Sequence, residues 1–143
     1  MGNDYYVSNE RMLRHDGAVQ HVGEVWGWYG VTREYYDRYR LPLMHTETNL
    51  REEDGSVAWL WKQWQGLLKM RDEGIPVIGF TWYSLLDQVD WDTALREPNG
   101  NINAVGLYDL NRKIRPVGTA YRELVSEFAA LPIVPNSNFF GVV

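Results

Sequence analysis

A chain of 143 residues is the size of one domain and long enough to bury a core of its own. Its 14 Lys and Arg against 19 Asp and Glu leave a formal charge of −5, which argues against a surface that tracks nucleic-acid phosphates. With no cysteine it holds neither a disulfide nor a thiolate-bound metal, and no apolar run reaches the roughly 20 residues of a membrane span. The first residues show no basic stretch leading into an apolar one, so the expectation is a soluble, cytoplasmic protein without a secretory leader. Seven Trp and nine Tyr stand out, since small domains need few such rings for packing and sugar-binding clefts are rich in them.

In chain order, Met1–Val7 reads as the end of a strand with nothing before it to supply the rest, which suggests a fragment or an internal start. Ser8–Gly23 is polar, with His15, Asp16-Gly17 and His21, and reads as a loop. The three histidines, His15, His21 and His45, have no metal-ligand spacing, and no cofactor motif is present. Trp26–Arg40 reads as a helix, with Val31, Tyr35 and Tyr39 as an apolar stripe against a sheet and Arg33, Glu34, Asp37 and Arg38 as its charged face. Leu41–Thr46 is a short strand with Glu47 at its end. Val57–Asp72 is a long helix capped by Asp54 or Ser56, its core side formed by Val57, Leu60, Trp61, Trp64, Leu67 and Leu68. Gly74 stops it.

Pro76–Thr81 is an uninterrupted apolar run, which reads as a strand buried on both faces of a helix-covered parallel sheet. It opens into Trp82-Tyr83-Ser84-Leu85-Leu86-Asp87-Gln88-Val89-Asp90-Trp91. The end of such a strand is where α/β proteins bind ligands. Flat rings and carboxylates together suit a sugar, which has an apolar face and a rim of hydroxyls; taken singly, each ring is as well explained as core. Asp92–Asn103 is a long loop with a turn at Pro98-Asn99-Gly100. Val105–Tyr108 returns to extended structure, Asp109–Lys113 turns, and Pro116 opens a last helix that buries Ala120, Leu124, Val125 and Phe128. Residues 1–131 make one domain and 132–143 a tail. The order strand, helix, strand, helix, strand, helix predicts parallel strands with crossovers, as an open sheet or as part of a barrel.

Glu47 follows a strand directly, so its carboxylate should project from the strand ends near Trp82, Asp90 and Tyr6. A carboxylate among rings and a phenol suits attack on an anomeric carbon, and a solvated loop Glu is the alternative. Three motifs, Gly2-Asn3-Asp4-Tyr5-Tyr6, Thr46-Glu47-Thr48-Asn49 and Ser84 through Trp91, together with Gly106-Leu107-Tyr108-Asp109 and Arg115-Pro116, resemble in order and spacing the C-terminal end of family 1 glycoside hydrolases, the β-glucosidase and β-galactosidase group. The resemblance extends to about Phe128. It implies an α/β fold, the C-terminal portion of a (β/α)8 TIM barrel comprising about strands six to eight. It further implies Glu47 as catalytic nucleophile and Tyr6 as the residue that orients it. Asp4, Asp90, Trp91 and either Trp82 or Tyr83 would form the sugar-binding wall.

This sequence departs from the family pattern at several points. Thr-Glu-Asn-Gly has become Thr46-Glu47-Thr48-Asn49, the sixth-strand Asn is Asp4, the sugar-binding Glu is Asp90, the platform Trp is Tyr83 or displaced to Trp82, and Arg-Phe-Gly-Leu reads Ala104-Val105-Gly106-Leu107. The family's acid/base motif, Asn-Glu-Pro, is absent, and a whole barrel takes upwards of about 200 residues. The expectation is therefore a nucleophile-bearing piece of a retaining glycosidase whose partners are a carbohydrate and either the missing barrel half or further copies of itself. A non-catalytic, self-associating sugar- or protein-binding module is the first alternative, and an unrelated open α/β binding domain the second.

Overall fold

The structure is a computed structural model that describes residues 1–130; the tail expected over 132–143 lies outside the described residues. The chain runs through strand β1 (Gly2–Asp4), the antiparallel hairpin β2 (Arg11–Leu13) and β3 (Val19–His21), helix α1 (Gly27–Tyr39), strand β4 (Leu43–Thr48) and helix α2 (Ser56–Asp72). Strand β5 (Val77–Trp82), the antiparallel pair β6 (Gln88–Val89) and β7 (Ile102–Asn103), and helix α3 (Pro116–Phe128) complete it. β1, β4 and β5 form one parallel sheet in that order, each linked to the next through a helix.

The helices pack on one face of this sheet. Leu43 and Val77 from the strands meet Trp28, Trp59, Leu60, Trp64, Leu67 and Met70 from α1 and α2, and Val117, Ala120 and Leu124 from α3. Burying each large aliphatic side chain contributes about 1.5–3 kcal/mol, so this layer is the main source of stability. Among the described residues the other face has no helix layer. Ile78 is 49 % exposed and Thr81 is half-buried, while Phe80 packs on the helix side against Trp64 and Tyr121, so β5 is not buried on both faces as its apolar run predicts. In a barrel that second face is packed by side chains from strands all round the ring, of which three are here.

Each helix also differs in detail from its reading. On α1 the inward row is Trp28, Thr32 and Tyr36, while Tyr35 and Tyr39 face solvent at 43 % and 49 % exposed. Both rows have four-residue spacing; the choice is made by Thr32, whose hydroxyl accepts a 2.7 Å hydrogen bond from the Asn3 side chain on β1. On α2, Leu60, Trp64 and Leu67 are buried as expected, but Trp59, Gln63 and Met70 join them, leaving Val57, Trp61 and Leu68 at the margin. No side chain caps α2: Gly55, at φ 95, makes the turn into it, and neither Asp54 nor Ser56 bonds its amides. On α3, Val125 is 52 % exposed because the buried row runs through Val117, Ala120 and Leu124. The polar Ser8–Gly23 segment holds the β2–β3 hairpin, closed by Gly17 at φ 82 and by the Asp16 carboxylate accepting the Ala18 amide at 3.0 Å. All six strand residues of that hairpin are exposed, so no alternation marked it. The extended piece expected at Val105–Tyr108 forms instead at Ile102–Asn103, and Tyr108 makes isolated bridges to Leu86 and Ile114. Among the described residues no helix is long and apolar enough to cross a membrane.

Candidate functional site

The direction of each strand-end side chain follows from irregularities in the ladder. On β1, Asn3 reaches Thr32 of α1, and the Tyr5 ring stacks on Trp59 of α2 with centroids 6.0 Å apart. Asp4 and Tyr6 alternate with them and take the opposite side. On β4, His45 stacks on Trp28 at 4.6 Å, and Thr48 accepts a 2.8 Å hydrogen bond from the Trp59 indole. Two residues three apart cannot both face the helices in a strand of period two. The register shifts between His45 and Thr48, as it does between Asn3 and Asp4, and the extra residue leaves both Thr46 and Glu47 facing away from the helices.

Glu47 thereby enters a cleft of about 370 Å³ that it lines with Tyr6, Asn49, Arg51, Trp91 and Asn103. The Tyr6 hydroxyl is buried and makes no hydrogen bond of ordinary geometry among the described residues. Burial first, and then the adjacent Glu47 carboxylate with smaller contributions from Asp4 and Tyr83, push its pKa above the usual phenol range. The phenol is therefore a proton-bearing neighbour of Glu47, close enough to feel its charge without forming a regular bond to it. Asn49 fixes the turn beyond β4 by donating to the Tyr83 carbonyl at 2.6 Å.

The other expected wall residues divide. Trp91 is 39 % exposed, lines the cleft, and rests against the Tyr83 ring at 5.5 Å and 42°. Trp82 does not serve as a platform: it is 5 % exposed, and its indole donates to the Val105 carbonyl at 2.9 Å, which makes it core. Asp90 is 8 % exposed and its two carboxylate oxygens accept the amides of Gly100 and Asn101 at 3.0 and 2.8 Å, so it serves its own loop rather than the cleft. Asp4 accepts the Thr46 hydroxyl at 2.7 Å and does not line the cleft. Sequence reasoning missed Arg51 and Asn103. Arg51 sits in the loop after β4, where proximity to Glu47 was the available signal; Asn103 carried none, since a lone Asn in a polar loop is unremarkable.

Two buried groups support the site from beneath. Asp87 takes the single Nε–H of Arg115 between its two oxygens at 2.9 and 3.1 Å, and accepts one bond from Nη2 at 2.5 Å and one from the Gly106 amide at 3.0 Å. Arg115 also bonds Glu52, so one guanidinium joins the exit of β5, the start of α3 and the turn before α2. Those carboxylates, Asp87 foremost, hold its pKa above the usual arginine value. His45 is fully buried, with Gln63 at 3.4 Å from its Nε2; burial pushes its pKa down to about 4 against the opposing pull of Gln63. It is a neutral core histidine. Among the described residues no group of three or more His, Cys, Asp or Glu is placed to hold a metal ion.

Parallel strands with helices on one face and a cleft at their C-terminal ends define a segment of an α/β barrel. No protein-family model matches the chain, and no curated protein matches it. Solved structures do. The chain is similar to the β-glycosidase from the hyperthermophile Thermosphaera aggregans, with 28 % identity and a TM-score of 0.58 over 76 % of this chain and 22 % of that one. It is similar also to the β-glucosidase from Thermotoga maritima in complex with noeuromycin, at 19 % identity and a TM-score of 0.61 over 88 % of this chain and 34 % of that one. The same enzyme in complex with galacto-hydroximolactam gives 19 % identity and a TM-score of 0.63 over 87 % of this chain and 34 % of that one. This chain therefore spans between 22 % and 34 % of the proteins it resembles. Its fold is the C-terminal portion, about strands six to eight with their helices, of a (β/α)8 barrel of the glycoside-hydrolase kind, and it does not close a barrel by itself.

Proposed function

We propose that this chain supplies the nucleophile-bearing wall of a retaining, family 1-like glycoside hydrolase acting on O-glycosidic bonds in β-glucosides or β-galactosides. The observation that carries the reading is the turning of Glu47, by the irregularity in β4, into a cleft beside the Tyr6 phenol and the Trp91 ring. In this reading the Glu47 carboxylate attacks the anomeric carbon as the glycosidic C–O bond breaks. The leaving oxygen takes its proton from a second carboxyl group about 5–5.5 Å away, and water later releases the sugar. Tyr6 keeps its proton and offers it to Glu47, restraining the carboxylate on the line of attack. The second carboxyl comes with no motif in this sequence, so catalysis requires the preceding barrel units, which would also cover the open sheet face. A mechanism-based 2-fluoro glycoside, applied to the chain joined to the five preceding βα units, should label Glu47, and Glu47→Gln should abolish labelling. Labelling of another carboxylate overturns the assignment.

The exposed Ile78 and half-buried Thr81 on β5 favour a second reading, a non-catalytic module that covers this face with another copy of itself. It predicts a dimer or larger species in sizing experiments; a clean monomer refutes it.

A further inference from the structure

We propose that Asp90 and Asn103 are positioning residues, a paired clamp that closes the loop between them and sets the Trp91 ring on the cleft. The ring's role as a sugar platform rests on the glycosidase reading; the clamp itself does not.

The loop has an unusual backbone. Asp90, Ala94 and Leu95 all lie at positive φ, at 57, 52 and 60°. Such conformations are costly for residues with a Cβ and persist where the surroundings impose them. Asp90 supplies much of that imposition. Its amide donates to the Asn101 carbonyl at 2.8 Å, its carbonyl accepts from the Leu95 amide and the Thr93 hydroxyl at 3.0 Å each, and its carboxylate takes the Gly100 and Asn101 amides. Asn103 closes the loop from the other end. It is 4 % exposed, and its side-chain oxygen accepts the Trp91 amide at 2.7 Å and the Asp92 amide at 3.2 Å. The Trp91 backbone is thus gripped on both flanks while its ring leans on Tyr83 and keeps one side to the cleft. In this chain the acidic residue before the platform ring holds the ring's loop, while Asn103 and Asp92 line the cleft beside it.

The test uses the full chain, amide hydrogen exchange, and the Trp91 indole resonance with methyl β-D-glucoside as the probe. Asn103→Leu removes the acceptor and should speed exchange at Trp91 and Asp92 by about tenfold or more, with the amides of Leu60 and Leu67 in α2 unchanged. Asn103→Asp keeps an acceptor oxygen and should restore both the protection and the sugar-induced indole shift. Asp90→Ala should release Gly100 and Asn101 in the same way, which serves as the test if the Leu variant does not fold. Unchanged exchange in the folded variants overturns the clamp. So does loss of the sugar response in Asn103→Asp with protection intact, because the side chain would then touch the sugar itself. A wild-type indole that ignores the sugar counts against the sugar-binding reading and leaves exchange to decide the clamp.

Discussion

Replacing Asp87 by Ala should lower the stability of the chain by about 3–4 kcal/mol. The Asp87 side chain is 1 % exposed and Arg115 20 %. Removing one partner of a buried pair typically costs about 3–5 kcal/mol, because the remaining charge stays buried without its counterion. Two features of the site place the value toward the lower end. Arg115 keeps Glu52, and its partial exposure lets water reach the freed nitrogens. One feature raises it, since the Gly106 amide loses its only acceptor among the described residues, worth about 1 kcal/mol more. Urea unfolding reads the result directly. With a slope of about 2 kcal/mol per molar, usual for a chain of this size, the midpoint should fall by about 1.5–2 M at unchanged slope. Arg115→Met in the Asp87→Ala background should cost less than the sum of the single substitutions, by at least about 1 kcal/mol, because the stranded cation is gone. A loss below about 1 kcal/mol for Asp87→Ala, or strict additivity in the double variant, would refute the claim that this pair is the buried tie between β5, α3 and the turn before α2.

Three further outcomes follow from the same geometry. His45 binds its proton less readily when folded, with a pKa of about 4 against about 6.5 when unfolded, so the unfolded chain takes up the proton first; stability should be full above about pH 6.5 and decline by about 3 kcal/mol as pH falls to about 4. His45→Gln should flatten that part of the urea-midpoint-against-pH curve, and an unaltered curve would show that His45 is not the group responsible. Tyr6→Phe removes a buried hydroxyl that lacks a regular partner, so stability should hold or rise by up to about 1 kcal/mol in urea unfolding while labelling of Glu47 by the fluorinated glycoside slows; a large loss of stability would mean that the hydroxyl is bonded in solution. At Gly106 an added Cβ would fall within 2.4–2.6 Å of the backbone at Asp87, Leu86 and Tyr108, so Gly106→Ala should destabilise by about 1–3 kcal/mol in thermal melts, and a neutral result would show that this approach relaxes freely.

The order of elements was legible because each long element carried its own period. Leu60, Trp64 and Leu67 recur as a helix requires, the Pro76–Thr81 run is apolar throughout, and Pro116 and Gly74 mark a start and a stop. Which face of a helix turns inward was less legible where a polar residue decided it. Thr32 is buried because Asn3 bonds it, and Gln63 because it meets His45; neither partner is near in sequence. The site was legible in position and only partly in role. Trp82 and Asp90 occur where a sugar wall needs a ring and an acid, but the indole is claimed by the Val105 carbonyl and the carboxylate by two loop amides. Such contacts depend on how a loop folds back, and a pattern read along the chain has no access to that.

The carboxylates at the strand ends sort themselves by what they already hold. Asp4 accepts the Thr46 hydroxyl, Asp87 neutralises Arg115, and Asp90 binds its loop. Each of these interactions draws its oxygens away from any reacting carbon by bonds already made. Glu47 differs in kind. A strand six residues long must present His45 and Thr48 to the helices and still deliver an acid to the mouth of the sheet, and regular alternation cannot do both. The irregularity between those two residues resolves the conflict by placing Thr46 and Glu47 together on the open side, where Thr46 occupies Asp4 and Glu47 faces the cleft beside a phenol that retains its proton. The proposed nucleophile would use that combination: backbone held in a paired strand, oxygens not consumed by the scaffold, and a proton-bearing phenol beside them.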